Sequence, residues 1–482
     1  RQQTLRATLD WSWGLLAEPE RLLLRRLAVF AGGCGMDAAE AVCAGEGIEG
    51  SALPELLEGL TNKSLVGLDE SDYGGRYGLL ETVRQYAAEQ LAAAGEAPAV
   101  RDRHLIWCVA LAEEAAPELS GSAQGVWLAR LQVEHDNLRS ALGWARDQGD
   151  GERELRLAAA LSRFWYTRGY LGEGRGWLEE ALTHTAAVPA GLRATALKGA
   201  GNLALNQGEY ARAAMHYQEA LALFRAIGDT QGIAGSLTNL GVVADRQSDY
   251  GRAAALFEEA VAVARLRGDT LQIARTLGNL AAVWDRQGDY QRGAALYEEA
   301  LALFKGLGDR QGIAAALDNL GVGAFRQGEY GRAVALHEES LAISRELGDR
   351  HGTIVSLINL AAVTERQGDH GRSTTLLHEG LLLGRDIGAS DEMADILERL
   401  AWVAVAQGHA SRAARLGGAA EACWEALSVP PAREDRAERD RAVHAMRAAL
   451  GEEAFAAAWS EGRALPLEQA TALALEGYAG GG

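Results

Sequence analysis

The sequence predicts a mostly α-helical chain, in which a small helical domain with one β-hairpin precedes an α-solenoid of helical hairpins. Three observations predict it. A triplet of Gly or Ser, an acid and a ring recurs every 40 residues: Gly208-Glu209-Tyr210, Ser248-Asp249-Tyr250, Gly288-Asp289-Tyr290, Gly328-Glu329-Tyr330 and Gly368-Asp369-His370. A fixed period of that length marks a solenoid of stacked units. Each period holds two stretches with apolar residues at helical spacing, parted by the triplet. Within residues 1–95 the helical spacing gives way at Leu65-Val66-Gly67-Leu68 and Tyr77-Gly78-Leu79-Leu80, two short runs flanking the polar, Gly-rich stretch 69–76. That is a hairpin pattern.

The period from Gln231 to Asp269 shows how a unit is built. Its first helix carries Leu237, Leu240 and Ala244 on one stripe and stops at Ser248-Asp249. Its second begins near Tyr250, carries Ala253, Ala254, Phe257, Ala260 and Val261, and ends at Gly268-Asp269. Glycine just past a last turn is a common helix stop. Small residues recur where two helices must approach closely: Gly201, Gly241, Ala281, Gly321 and Ala361, then Ala213, Ala253, Gly293 and Ala333. Neither helix buries its stripe alone, so stacking of neighbours makes the core. Leu240-Gly241, Tyr250, Ala253, Phe257 and Ala260, in that order, resemble the tetratricopeptide repeat. The unit is longer than the usual ~34 residues, so each helix has extra length. The pattern is full from Ala194 to about Glu346, weaker over Thr353–Arg385, and fading to about Ala426. An earlier degenerate copy occupies Leu155–Leu182.

In chain order, Thr4–Leu16, Glu18–Val29, Asp37–Ala44 and Ser51–Lys63 read as helices, followed by the hairpin and by a helix over Glu81–Ala94. Helices with a small hairpin of this kind make residues 1–95 a winged-helix domain. Residues 96–190 read as a helical linker and first stacking unit, with long helices at Val100–Ala116 and Trp127–Gln148 around a Pro117–Gly125 loop. The solenoid proper covers 191–426, and residues 427–482 form a helical cap and tail. Ser411–Trp424 and Glu434–Trp459 close that end, with a break at Pro430-Pro431 and a frayed Gly480-Gly481-Gly482 terminus. End units must hide an apolar face.

Composition narrows the function classes. A net charge of −19 argues against a nucleic-acid surface as the main business of the chain. No run is apolar over the length of a bilayer, so the expected setting is cytoplasmic, without a membrane partner. Cys34, Cys43, Cys108 and Cys423 are scattered and lack metal-ligand spacing, which suits reduced structural thiols. The ten histidines fall singly. Glu258-Glu259 and Glu298-Glu299 repeat with the period, as a solvated helix face does, and not as a catalytic carboxylate pair. The expectation is a non-catalytic protein with no cofactor and no metal.

A second resemblance rests on longer strings. TLRATLDWSWGLL, ERLLLRRLAVFAGG, LTNKSLV, RYGLLETVRQYAAEQL, EHDNLRSALGWA and LGEEAFAAAWSEGRALPLEQATALALE resemble the region after the nucleotide-binding module of bacterial STAND-type signalling ATPases. Those proteins combine an NB-ARC-like switch, a winged helix and a tetratricopeptide sensor, and some end in a LuxR-type DNA-binding domain. The resemblance implies a sensor segment that works with an upstream nucleotide-binding module. Lys63, Lys198 and Lys305 follow Asn62, Leu197 and Phe304, so no Gly-Lys-Ser/Thr phosphate loop is present, and the family's ATPase activity does not carry over. The rival classes are a stand-alone repeat scaffold for protein assembly and, more weakly, a DNA-binding regulator.

The candidate site is a ladder. Asn239, Asn279, Asn319 and Asn359 hold one position of four successive first helices, and Arg246, Arg286, Arg326 and Arg366 follow seven residues later. Two turns apart, they share a stripe, and the tetratricopeptide resemblance puts that stripe in a concave groove. An amide both donates and accepts, which suits gripping a peptide backbone. A guanidinium forks onto carboxylates. Between the rungs the residues vary: Asp245, Asp285, Phe325 and Glu365 at one position, Ala244, Trp284, Ala324 and Thr364 at another, Thr238, Gly278, Asp318 and Ile358 at a third. A peptide or protein ligand is therefore expected there, with Asp245, Asp285, Trp284 and Phe325 reading its side chains. Against it stands a packing role, in which these residues bond neighbouring repeats.

Overall fold

In the computed structural model, which describes residues 2–71, 74–121, 123–184, 188–427 and 436–476, the chain divides into two compact units, 1–247 and 248–482. The Pro430-Pro431 break and the Gly480-Gly481-Gly482 terminus lie outside the described residues.

Unit 1 opens with helices Gln2–Gly14, Glu18–Leu27, Met36–Cys43 and Leu53–Asn62, the last entered through a short 3-10 turn at Gly50–Ala52. Pro19 stands in the first turn of its helix, where a missing N–H costs nothing. Strands Gly67–Ser71 and Gly74–Gly78 pair antiparallel, with Asp69 opposite Arg76 and Leu68 opposite Tyr77, and helix Glu81–Ala93 follows. Leu23, Leu24, Leu27, Val42, Leu53, Leu57 and Leu60 make the buried core of this domain. The loop after the second helix joins the hairpin edge: Cys34 and Tyr77 exchange backbone hydrogen bonds of 2.8 Å in both directions. Gly33 allows it, because its φ is +73° and a Cβ there would fall 2.6 Å from the Tyr77 carbonyl oxygen.

Two expectations for the linker need correction. The helix Ala97–Glu118 runs through Pro117 instead of stopping before it. The proline stands in the final turn, so the helix loses one bond near its end and no more. The long helix expected over 127–148 is two, Gln124–Val133 and His135–Asp147, broken at Glu134 with φ −90° and ψ 3°. The carboxylate of Glu134 is held by Arg76 from the hairpin, which fixes the break. Helices Gly151–Arg168, Leu171–His184, Ala190–Asn206, Tyr210–Ile227 and Thr230–Arg246 complete the unit around Leu138, Leu142, Leu155, Phe164, Trp165 and Leu203.

Unit 2 begins with Tyr250–Arg267. Four helical hairpins follow: Thr270–Arg286 with Tyr290–Leu307, Arg310–Arg326 with Tyr330–Leu347, Arg350–Arg366 with His370–Ile387, and Ser390–Ala406 with Ala410–Leu427. Helices Arg436–Leu450, Glu452–Arg463 and Leu467–Leu475 pack on the last of them, burying Met446, Phe455, Ala470 and Leu473. The recurring Gly-acid pair explains most of the turns, while Gly388 and Gly408 keep the glycine but are followed by Ala389 and His409. Gly288, Gly328, Gly368 and Gly408 take φ of 79–85° between the two helices of a hairpin. The acid after the glycine starts the next helix: Asp289 and Asp369 accept from the backbone N–H of Arg292 and Arg372 at 3.2 and 3.0 Å. Asp309 and Asp349 do the same for Gly312 and Gly352, at 2.9 Å each. Each satisfies an amide that a helix start leaves unpaired. Glu329, one methylene longer, makes no such cap and pairs with Arg332. Among the described residues, no helix is long and apolar enough to cross a membrane.

Candidate functional site

The two units place the predicted ladder differently. In unit 1, Asn239 is engaged in packing: its Nδ2 donates to Asn202 Oδ1 at 3.1 Å, and the Tyr217 hydroxyl donates to the same oxygen at 2.8 Å. Asp245 of this unit is half-buried and Arg246 is exposed. In unit 2, Asn319 is exposed and Asn279 and Asn359 are half-buried, each on the first helix of its hairpin. None of these three amides has a side-chain hydrogen bond among the described residues.

The arginine rungs of unit 2 also diverge. Arg286, Arg326 and Arg366 end three successive first helices and all are exposed. Arg366 forms an ion pair with Glu438 of the C-terminal helices, so its charge is already matched within the unit. Trp284 and Phe325 turn toward their own hairpins. The Arg292 guanidinium lies 4.7 Å over the Trp284 ring, a cation–π contact, and Phe325 meets Tyr330 with ring centres 5.8 Å apart. Both rings keep part of their surface exposed. Asp285 is buried, at 7% exposure, and its Oδ1 has no hydrogen-bond partner among the described residues. Burial pushes its carboxyl up to about 6, against the opposing pull of Arg326 and Arg286.

Asp318, expected on the variable groove face, is instead interior. Its carboxylate meets His337 Nδ1 at 2.7 Å and accepts from the Ser340 and Ser356 hydroxyls at 3.0 and 2.6 Å. His337 stands where the other copies carry Tyr217, Phe257 and Tyr297, and Ser340 where they carry Ala220, Ala260 and Ala300. One copy has thus exchanged an apolar core for a hydrogen-bonded polar one. Reading that substitution pair together was the available signal. The Glu pairs on the second helices are an ion-pair edge: Glu299 meets Arg265 at 2.6 Å and Glu298 meets Arg332 at 3.1 Å. Exposed pairs of this kind are worth little individually.

Sequence reasoning missed the node where the hairpin of unit 1 meets the next helices. Arg76 Nη2 donates to Glu134 Oε2 at 3.0 Å, and Arg76 Nε donates to the Gly32 carbonyl at 2.8 Å. Asn137 is fully buried. It accepts from the Ala31 N–H at 2.8 Å and donates to the Gly33 carbonyl at 2.8 Å and to Glu134 at 2.6 Å. The string EHDNL is therefore a clamp on the loop that carries Gly33. The three arginines of the second helix form no open basic patch. Arg26 is buried and donates to the Cys43 and Glu46 carbonyls at 2.8 and 2.9 Å, Arg25 pairs with Glu96, and Arg21 donates to the Trp13 carbonyl at 3.0 Å. The helix before the hairpin, the one that winged helices insert into DNA, exposes Glu55 and Glu58.

Comparison with known proteins agrees with this architecture. The tetratricopeptide repeat model matches residues 192–266, 272–346 and 312–381, and the winged helix-turn-helix domain model matches residues 16–92. A Mycobacterium tuberculosis protein, provisionally named as the HTH-type transcriptional regulator Rv0890c, is 39% identical over 249 residues, 50% of this chain and 28% of that protein. The chain thus spans little more than a quarter of the curated relatives it matches. The solved STAND protein with a tetratricopeptide repeat sensor from Pyrococcus horikoshii is 14% identical, covering 82% of this chain and 61% of that one, with a TM-score of 0.47. NprR in complex with its cognate peptide NprX is 16% identical, covering 57% and 78%, with a TM-score of 0.40. The chain carries a winged-helix domain followed by a solenoid of tetratricopeptide-type hairpins.

Proposed function

We propose that the first-helix face of unit 2 binds an extended peptide segment of a protein partner, and that the chain is the sensor and joint of a larger STAND-type signalling protein. The observation that carries this reading is the set Asn279, Asn319 and Asn359. Three amides stand at one register, 40 residues apart, without side-chain partners among the described residues. No side-chain hydrogen bond among the described residues engages them, and an amide left with both donors and its acceptor suits a peptide backbone. The clamp of Arg76, Glu134 and Asn137 supports the joint, since it ties the winged helix to the first helices of the stack within unit 1. Signalling then requires a ligand that favours one arrangement of joint and sensor over another, passed on to a nucleotide-binding module.

The test is selection of random 12-residue peptides against the whole chain, followed by binding to the double variant Asn279→Ala/Asn319→Ala. The wild type is expected to enrich peptides, and the variant to lose at least tenfold in affinity, since each lost hydrogen bond to a buried group costs about 1–3 kcal/mol. The fold should be unchanged, because Asn319 is exposed and the half-buried Asn279 makes no side-chain hydrogen bond, and substitutions away from the core and from hydrogen-bond networks shift stability by less than about 0.5 kcal/mol. Undiminished binding by the variant overturns the groove. A variant that melts far earlier assigns the asparagines to packing.

A further inference from the structure

Two successive hairpins, 270–307 and 310–347, each carry a glycine where other copies carry a larger residue, and the two glycines meet around one carboxylate. Gly293 stands where the other second helices carry Ala213, Ala253 and Ala333. Gly323 stands where the other first helices carry Val243, Val283 and Val363. Both absent side chains border Asp285. A Cβ on Gly293 would fall 2.0 Å from Asp285 Oδ1, so any residue but glycine evicts the carboxylate. Gly323 is itself buried, and a Cβ on it would meet only Asp285 Oδ2, at 3.9 Å, so the space a valine fills in other copies is left as an unfilled notch beside that oxygen.

The carboxylate beside that notch is only partly compensated, through the longer-range pull of Arg326 and Arg286. Asp285 is 7% exposed, and its Oδ1 has no hydrogen-bond partner among the described residues. Buried charges are ordinarily paired and hydrogen-bonded, because an unpaired one is costly. Here two side chains are deleted to make room for one that is not paired. Arg326 and Arg286 act on it only at a distance and stay on the exposed surface. Burial lifts its pKa to about 6, so at neutral pH it is an anion.

We infer that Asp285 is the selectivity element of this face: its carboxylate takes the cationic head of a lysine or arginine side chain of the bound peptide, seated in the notch beside Gly323. The inference rests on the groove reading given above. Asn279 and Asn319, on the first helices either side of the notch, hold the backbone without regard to sequence, and Asp285 chooses one side chain. A neutral side chain or a water molecule could fill the notch and leave the charge unmatched. A cation fills it and forms a charge-assisted hydrogen bond, about twice as strong as a neutral one.

The test is positional scanning of the peptides enriched by the wild-type chain, with three variants. The wild type should prefer Lys or Arg over Ala at one position by at least about tenfold. Gly323→Val closes the notch with the residue other copies carry, and should erase that preference while peptides still bind. Asp285→Asn removes the charge and keeps the shape, and should shift the preference to neutral side chains. Asn279→Ala/Asn319→Ala should weaken all peptides alike. If the first two variants keep the basic preference while the asparagine variant loses binding, the selectivity inference fails and the groove stands. If the asparagine variant binds normally, or the wild type enriches nothing, the groove reading fails and this inference with it. Should Gly323→Val fail to fold, Asp285→Asn decides alone: an unchanged basic preference overturns the inference.

Discussion

Arg76 and Glu134 form a bridge between the β-hairpin of the winged helix and the break between two helices 58 residues later. Glu134 is 6% exposed, so its charge depends on that single guanidinium and on the amide of Asn137. Removing one partner of a buried pair leaves the other unpaired, which costs about 3–5 kcal/mol. Arg76→Ala should therefore destabilise unit 1 by that amount in chemical denaturation. Arg76→Lys should rescue little, because an ammonium does not reproduce the fork onto Glu134 and the Gly32 and Gly33 carbonyls. A melting curve for Arg76→Lys equal to wild type would show the pair to be dispensable.

Ser248 sits at φ 62° in a turn where Gly288, Gly328 and Gly368 take 79–84°. A residue with a Cβ costs about 1–2 kcal/mol in that conformation, and glycine returns about 0.5–1 kcal/mol through its freer unfolded chain. Ser248→Gly should raise stability by up to about 1 kcal/mol, read as a higher melting temperature. Glu329→Asp should act in the same direction by restoring the cap that Asp289 and Asp369 make, worth about 0.5–2 kcal/mol.

Asp285 holds its proton more tightly in the folded chain than in the unfolded one, with a pKa raised from 3.8 to about 6 by burial. Between those values the native state binds more protons than the unfolded state, so stability falls as pH rises. Above about pH 6 the full cost of the buried anion is present. Asp285→Asn should gain most over wild type at pH 7 and least near pH 4. Parallel pH profiles for the two proteins would remove Asp285 as the cause.

Residues 1–95 carry 8 basic and 14 acidic side chains, a net charge of −6. The helix before the hairpin exposes Glu55 and Glu58, and Arg21, Arg25 and Arg26 are engaged internally. Non-specific DNA affinity comes mainly from neutralising phosphates. A mobility-shift assay at low salt should therefore show no complex of this chain with duplex DNA, and a salt-sensitive shift would refute this.

The 40-residue period was legible because its causes are local. A glycine that reaches positive φ and an aspartate that caps the next amide act within four residues, so most copies show them. What was not legible depends on distant partners. Asn239 and Asn279 look alike in sequence, yet Asn202, on a neighbouring first helix, engages only the former. Arg366 resembles Arg326 until Glu438, 72 residues later, arrives beside it. Asp318 reads as surface because its counterparts differ, while His337 and Ser340, which replace rings and alanines of other copies, mark it as interior. The meaning of EHDNL rests on Gly33, more than 100 residues earlier, which no local pattern displays.

The Gly-Asp turns of unit 2 have a genetic consequence. Each cap is donor and acceptor within one helix, and each glycine bends only its own turn. Excising or duplicating one whole 40-residue block leaves no orphaned cap and no strained turn on either side. Gain or loss of one such block therefore yields foldable products, and the length of the stack can change in single-hairpin steps. A block carrying a private feature, such as Asp285 with its two glycines, would move as an intact cassette only if the cut fell outside residues 285–323.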